Sequence, residues 1–466
     1  MNNDLLKKMR EGGELSRREK LALVLRLSVP AVLSQLSTII MEYIDASMVG
    51  SLGPDASAAI GLVSTTTWLI GGLSGAVGIG FTVGIAHSIG AGDNRQARKN
   101  VRSGLVTVLV FSMVMMLLVA AIHRALPRWM GGEAEILRDA SAYFLIYGLM
   151  LPLLQINYTG AGMLECSGNM KVPGLINMIM CGLDVVFNFF CIYPSRYLTV
   201  FGKRFYMPGL GLGVKGAALG TLMAEACGAA AILLAVLVFS EKLHMRKGER
   251  GGLGKKKWLD TVRVSLPAMG GSLVMGFAYV MATRIVAPLG KIAISANSFA
   301  ITAESLCYMP GYGISRAATT LVGQARGAGR IKLEKSFHNL TVMVGIMAMT
   351  GASVLMYIFA PEMIGIMTPD PDIRTLGTAV LRIVAFAEPF FGAAIVSEGV
   401  FRGMGRTMTP GVLNMISMWL IRLPASVWAA RVGGLEAVWL VMSAELAFRG
   451  ILFSAVLHNA GRKLSC

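Results

Sequence analysis

Charge is scarce in this chain. Only 15% of its 466 residues are Asp, Glu, Lys or Arg, where a soluble protein carries about 25%. Acid is the scarcer sign: 26 Asp and Glu stand against 43 Lys and Arg. A soluble chain of this length would divide into about two or three domains with polar surfaces. That surface is missing, so lipid must cover much of the outside. The six cysteines have no paired spacing, and Cys166, Cys181, Cys191, Cys227 and Cys307 lie in or beside apolar runs. This excludes a disulfide framework or a cysteine metal site and leaves them as packing residues. The five histidines (His87, His123, His244, His338, His458) lie near the ends of apolar runs. They form no metal cluster or nucleophile–base set, so the chain does not read as an enzyme. GxxxxGK[ST] is absent, which removes an ATP-driven pump. The first twenty residues lack the short apolar core and cleavage site of a signal peptide. They are expected to lie along the cytoplasmic surface. The ending at Cys466 is no lipidation signal.

What is present is apolar: 55% of residues, at a mean hydropathy of +0.63. A helix needs about 20 mostly apolar residues to cross the hydrocarbon core. Twelve segments meet this: 23–49, 56–80, 102–123, 139–164, 173–193, 213–240, 259–287, 293–322, 337–360, 374–401, 408–430 and 435–458. The net charge of +17 would suggest nucleic acid in a soluble protein. Here the cations sit between spans, in alternate loops: Arg95, Arg98 and Lys99; Lys171; Lys242 to Lys257; Arg326 to Lys335; Arg402 and Arg406. The positive-inside rule makes those loops and both termini cytoplasmic, in the inner membrane of the cell. The outer loop at 194–212, with Arg196, Lys203 and Arg204, runs against the trend.

The chain also repeats itself at one offset, 237 residues. RLSVPA at 26–31 returns as RVSLPA at 263–268, SLG at 51–53 as PLG at 288–290, and SIGAGD at 88–93 as ARGAGR at 325–330. Pro152 matches Pro389, and PGLINMI at 173–179 returns as PGVLNMI at 410–416. Register is lost after the fifth span of each copy, where the first has about 16 more residues (194–209), read as a short extracellular hairpin. Each copy holds six spans, an even number, so both enter from one side and the pseudo-two-fold axis follows the membrane normal. The expectation is an all-α membrane protein of twelve transmembrane helices in two pseudo-symmetric six-helix bundles, a parallel repeat. Residues 1–22 form a cytoplasmic segment, 23–240 the N-lobe, 241–258 a cytoplasmic linker, 259–458 the C-lobe and 459–466 the tail. Two such bundles around a cleft suit alternating access in a single chain, read as a monomer.

These motifs resemble the multidrug and toxic compound extrusion (MATE) transporters over nearly the whole chain. The resemblance rests on Pro30, Asp45 and VGSLG (49–53), the GAGD turn with Arg95 and Arg98, and GLGVKGAALGT (211–221). It continues through LVGQARGAGR (321–330), RGMGRTMTP (402–410), Arg422 and Pro424. It implies export of organic cations or other amphipathic compounds, driven by inward H⁺ or Na⁺, with no other cofactor. A lipid or lipid-linked-sugar flippase of the wider superfamily is the alternative.

An ionisable side chain inside a span costs about 2.5–3.5 kcal/mol on insertion scales and usually has a purpose. Asp45 lies in the outer half of the first span, with Glu42 one turn earlier on its face. The plainer reading is a helix-end cap and a snorkelling glutamate. Asp184 lies mid-span in the fifth helix and shares its face with Asn188, one turn on, and Asn177, about two turns back. The resemblance carries the coupling role to Asp45, Asp184 and Thr221, an oxygen-lined site suited to H⁺ or Na⁺. Where family members often carry Asn one turn before the fifth-span acid, this chain has Met180, and Asn188 is the available substitute. Glu225 lies one turn from Thr221. At offset 237 the acids fall on Ala282 and Ile421, so the site is not duplicated. The C-lobe instead carries Glu304, Glu388 and Glu398, which are candidates to line the cleft against a cationic substrate, or structural partners of Arg284, Arg316, Arg382, Arg402 or Arg422. Glu445 and Arg449 read as an i, i+4 pair.

Overall fold

Backbone polar groups inside a bilayer must be satisfied within the chain, and runs of this length do so as helices. The structure, a computed structural model, describes residues 2–200, 203–245 and 252–463. Linker residues 246–251, with Arg246, Lys247 and Arg250, and tail residues 464–466, with Cys466, lie outside the described residues. A short helix α1 (Asn2–Arg10) precedes α2 (Arg17–Gly50), the first span. The second span is broken at Gly78 into α3 (Pro54–Val77) and α4 (Ile79–Gly90), and so runs past its expected end at 80. Next come α5 (Asn94–Ile122), the short α6 (Ala125–Trp129), α7 (Ala134–Cys166) and α8 (Lys171–Ile192). A hairpin, β1 (Pro194–Val200) and β2 (Lys203–Leu210), leads to α9 (Val214–Leu234), which ends in a π-helical turn, Ala235–Phe239. The second copy comprises α10 (Lys255–Val286), α11 (Lys291–Gly327), α12 (Ile331–Met367), α13 (Pro371–Ala385), α14 (Glu388–Gly403), α15 (Met408–Met415) and α16 (Leu423–Lys463).

Nine helical stretches among the described residues are long and apolar enough to cross a membrane by themselves. The pair α13 and α14, bent by 59°, makes a tenth. The stretch from Met408 to Ala460 holds two spans, because the backbone leaves the helix at Gly433 and Gly434. The twelfth is α11, 37 residues long, whose polar side chains Glu304, Thr320 and Gln324 are turned inside and mask its span character. On α5 the outward stripe is Val106, Leu109, Val110, Met113, Val114 and Leu117, all exposed at helical spacing. Its opposite face buries Val101, Gly104, Val108 and Ser112. Met113 thus faces the lipid side.

The repeat extends to the backbone. Gly53 and Gly290, Gly92 and Gly329, and Gly168 and Gly405 are pairs at offset 237, and all six hold φ between 68° and 116°. This left-handed region is open to glycine at no steric cost. Capping is shared less strictly. Ser16 and Glu19 form a capping box at the start of α2, while Asp93 caps α5 and Asp370 caps α13. The hairpin lies where the first copy is longer, with Tyr197 opposite Tyr206 and their rings 5.4 Å apart.

The two bundles meet through α2 against α11 and through α10 against α3 and α4, contacts that the repeat exchanges. Hydrogen bonds between them gather at the end carrying the basic loops. Ser265 Oγ donates to the Val77 carbonyl (2.7 Å), Gln324 Nε2 to the Cys166 carbonyl (2.8 Å) and Thr320 Oγ1 to the Glu165 carbonyl (3.1 Å). Arg316 Nη1 donates to Glu165 Oε1 at 3.0 Å. There α4 and α11 touch by backbone: a Cβ on Gly90 would lie 2.1 Å from the Gln324 carbonyl oxygen, and one on Gly327 2.1 Å from that of His87. Gly90 and Gly327 are themselves repeat partners. The amino-terminal helix does more than lie along a surface. Its Leu6 and Met9 are fully buried with Met170, Leu321 and Phe337, and Arg330 donates to the Met9 and Gly13 carbonyls.

Candidate functional site

The first-copy acids meet in the bundle interior. Each of three helices brings polar side chains to this point: α2 carries Asp45, α8 carries Asp184 and Asn188 one turn apart, and α9 carries Thr221. Asn188 Nδ2 donates to Asp45 Oδ1 and to Asp184 Oδ2, both at 2.9 Å. One amide therefore bridges carboxylates from two helices. Asp184 and Asn188 are buried at 1% and 0% exposure, and Asp45 is half-buried. Asp45 and Thr221 both lie within side-chain reach of Asp184. Tyr143 on α7 stands close enough to feel both carboxylates.

The site depends on close packing of α8 and α9. A Cβ on Gly220 would lie 2.1 Å from Asn188 Oδ1, and one on Gly216 2.3 Å from the Cys191 carbonyl oxygen. Asp184 Oδ1 and Asn188 Oδ1 are buried without a hydrogen-bond partner. Buried acceptors are nearly always satisfied, so two unpaired oxygens beside a second carboxylate form a set able to take a proton or a small hard cation.

Other candidates are placed differently. Glu42 is exposed one turn before Asp45. Asn177 stands apart from the acids: its amide donates to the Ser34 carbonyl and Thr38 Oγ1, both at 3.1 Å, tying α8 to α2. What Asn177 meets on α2 is the Ser34 carbonyl and the Thr38 hydroxyl, not the acids. The three C-lobe glutamates do not share one site. Glu304 on α11 and Glu388 at the start of α14 face each other inside the bundle at 5% and 0% exposure, with Cys307 beside Glu388. Both Glu388 oxygens lack a hydrogen-bond partner. Glu398 pairs with Arg402 on its own helix. Glu445 takes Arg449 at 2.6 Å, accepts from Ser417 and has Arg422 at 3.8 Å, so the i, i+4 pair is part of a larger cluster.

Two features escaped sequence reading. Asn157 on α7 donates to the Glu225 carboxylate and backbone carbonyl. It lies in a run with no charged residue, where an uncharged amide gives no signal. The Glu165–Arg316 pair joins residues of different copies, and no local spacing could have linked them.

A family model described as MatE matches twice, over residues 30–190 and 267–428, in step with the internal repeat. A Thermotoga maritima protein named "Probable multidrug resistance protein NorM" is 28% identical over 435 residues, covering 92% of this chain and 90% of its own length. The human "Multidrug and toxin extrusion protein 1" is 25% identical over 468 residues, covering 96% of this chain and 76% of its own. A crystal structure of a MATE protein in complex with MaL6 superposes with a TM-score of 0.88 at 20% identity, covering 96% and 97% of the two chains. The chain is a multi-pass membrane protein that belongs to the MatE family of transporters.

Proposed function

We propose that this protein is an antiporter of the inner membrane that exports organic cations or other amphipathic compounds in exchange for inward H⁺ or Na⁺. The observation that carries the reading is the Asn188 bridge between Asp45 and Asp184, with two buried acceptors left open beside it. Two carboxylates this close resist ionising together, so a proton or Na⁺ among them is favourable. The names of the relatives, drug-resistance and extrusion proteins, support the substrate class. Placing the basic loops and termini in the cytoplasm makes the closed end cytoplasmic, and the conformation is then outward-facing.

The proposed cycle follows. With the cleft open outward, H⁺ or Na⁺ enters among Asp45, Asp184, Asn188 and Thr221. The N-lobe becomes less negative and releases a cationic substrate. The lobes rock about their α2–α11 and α10–α3 contacts, and the ion leaves to the cytoplasm, drawn by about 2.3 kcal/mol per charge per 100 mV. A flippase would favour a cationic cleft. Here Arg316, Arg402, Arg422 and Arg449 each have a carboxylate at hand, which weighs against that alternative.

The test is uptake of a fluorescent organic cation by proteoliposomes, with pH and Na⁺ gradients imposed separately. One gradient should drive transport and the other should not. Asp45→Asn and Asp184→Asn should reduce driven uptake to background. Wild-type rates in either variant would remove the coupling role.

A further inference from the structure

A third carboxylate lies in the same lobe and is not part of the Asn188 bridge. Glu225 on α9 is held by Asn157 Nδ2, which donates to its carboxylate and, at 3.1 Å, to its backbone carbonyl. The same amide nitrogen lies 3.7 Å from Met180 Sδ. Gly228, one turn on, allows this convergence: a Cβ there would sit 2.7 Å from Met180 Sδ and 3.1 Å from Asn157 Nδ2. The bond to Glu225 uses the amide nitrogen of Asn157 and leaves its Oδ1 buried without a partner. Tyr158, the next residue on α7, exposes 47% of its surface and lies within electrostatic reach of Glu225, of Glu42 and of Arg316 on the other lobe. It is the exposed member of this group.

A carboxylate, an unpaired amide carbonyl, a phenol ring and a thioether are the groups that hold a protonated amine. The first supplies charge, the second accepts an N–H, the third offers a π face, and the last adapts to the attached carbon skeleton. We propose that Glu225, positioned by Asn157 and flanked by Tyr158 and Met180, is the subsite that receives the ammonium group of the exported molecule. The inference rests on the export reading and adds a location to it. Glu225 lies within electrostatic reach of Asp184. An ion taken up at Asp45 and Asp184 would thus weaken the hold on an amine at Glu225 without occupying its place.

The experiment is fluorescence titration of the purified full-length protein with dansylcadaverine, a primary ammonium, and with its uncharged N-acetyl derivative. Wild type should prefer the ammonium. E225Q, which keeps a bond to Asn157, should lose that preference by about tenfold in Kd, with the acetyl derivative unaffected, and E225D should restore part of it. Should E225Q melt markedly lower than wild type, Y158L tests the same pocket with the Asn157–Glu225 bond in place and should also lose the preference. A full preference in E225Q, or its loss in D45N alone, overturns the subsite while leaving export intact. A wild-type protein without the preference overturns both.

Discussion

An amide set between two carboxylates can give one hydrogen to each, and Asn188 uses both in this way. Asp45 and Asp184 were legible in the sequence because an acid inside an apolar run is costly and stands out. Asn188 was legible as the polar residue one turn from Asp184. Asn177 shows the limit of that logic, since helical spacing reveals which residues share a face and is silent on what the face meets. Asn157 shows a second limit, because an uncharged residue among apolar ones is unremarkable until its partner is in view. Asn188→Ala would leave two carboxylates facing each other with no donor between them. Coupled uptake should fall about tenfold or more, with the ammonium preference of the purified protein retained. Uptake by this variant at the wild-type rate would mean that the bridge is incidental.

Between neighbouring helices the small residues decide the geometry. Gly220 lies where α9 crosses Asn188, so Gly220→Ala pushes a methyl group into that amide. Overpacking of this kind costs about 1–3 kcal/mol, and the variant should melt several degrees below wild type and lose coupled uptake together. The prolines behave less uniformly than their register implies. Pro152 sits within a continuous α7, while its repeat partner Pro389 opens α14 beyond a bend of 59°. Sequence spacing located both, but only in the second copy is the helix interrupted, at 386 and 387 just before the proline that lacks an N–H for the ladder.

Beyond the end of α9, Lys242 is half-buried with its Nζ donating to the Ser167 carbonyl at 3.2 Å. Burial, and then the nearby Arg10, push its pKa down to about 8. A lysine depressed in the folded state penalises folding fully below that value. The penalty fades as pH rises from about 8 toward the unfolded value, because the folded chain then binds fewer protons than the unfolded one. Wild type should therefore gain melting temperature between pH 8 and 10 relative to Lys242→Met. Parallel pH profiles would show that this lysine is already free to be charged.

Over the whole molecule, the two-copy plan was legible because it is written as a register, and glycines with left-handed backbones recur at the same offset. The contacts between copies were not legible, since they join residues about 150 or more positions apart in the chain. Glu165→Gln removes the charge that meets Arg316 across the lobes. With that arginine about one-third exposed, the expected loss is about 1 kcal/mol, a several-fold shift of population away from closure at this end. Spin labels at positions 93 and 330 should report a broader, longer distance distribution in the variant. An unchanged distribution would assign closure to backbone contact alone.

The crossing of Gly90 and Gly327 gives that contact an unusual property. Because the two positions are copies of one another and press on the same point from opposite sides, a methyl group added to either acts as a wedge in one door frame. Either alanine should therefore bias the resting protein in the same direction, toward parting of the lobes at this end. The second substitution should add little once the first has parted the strands of backbone.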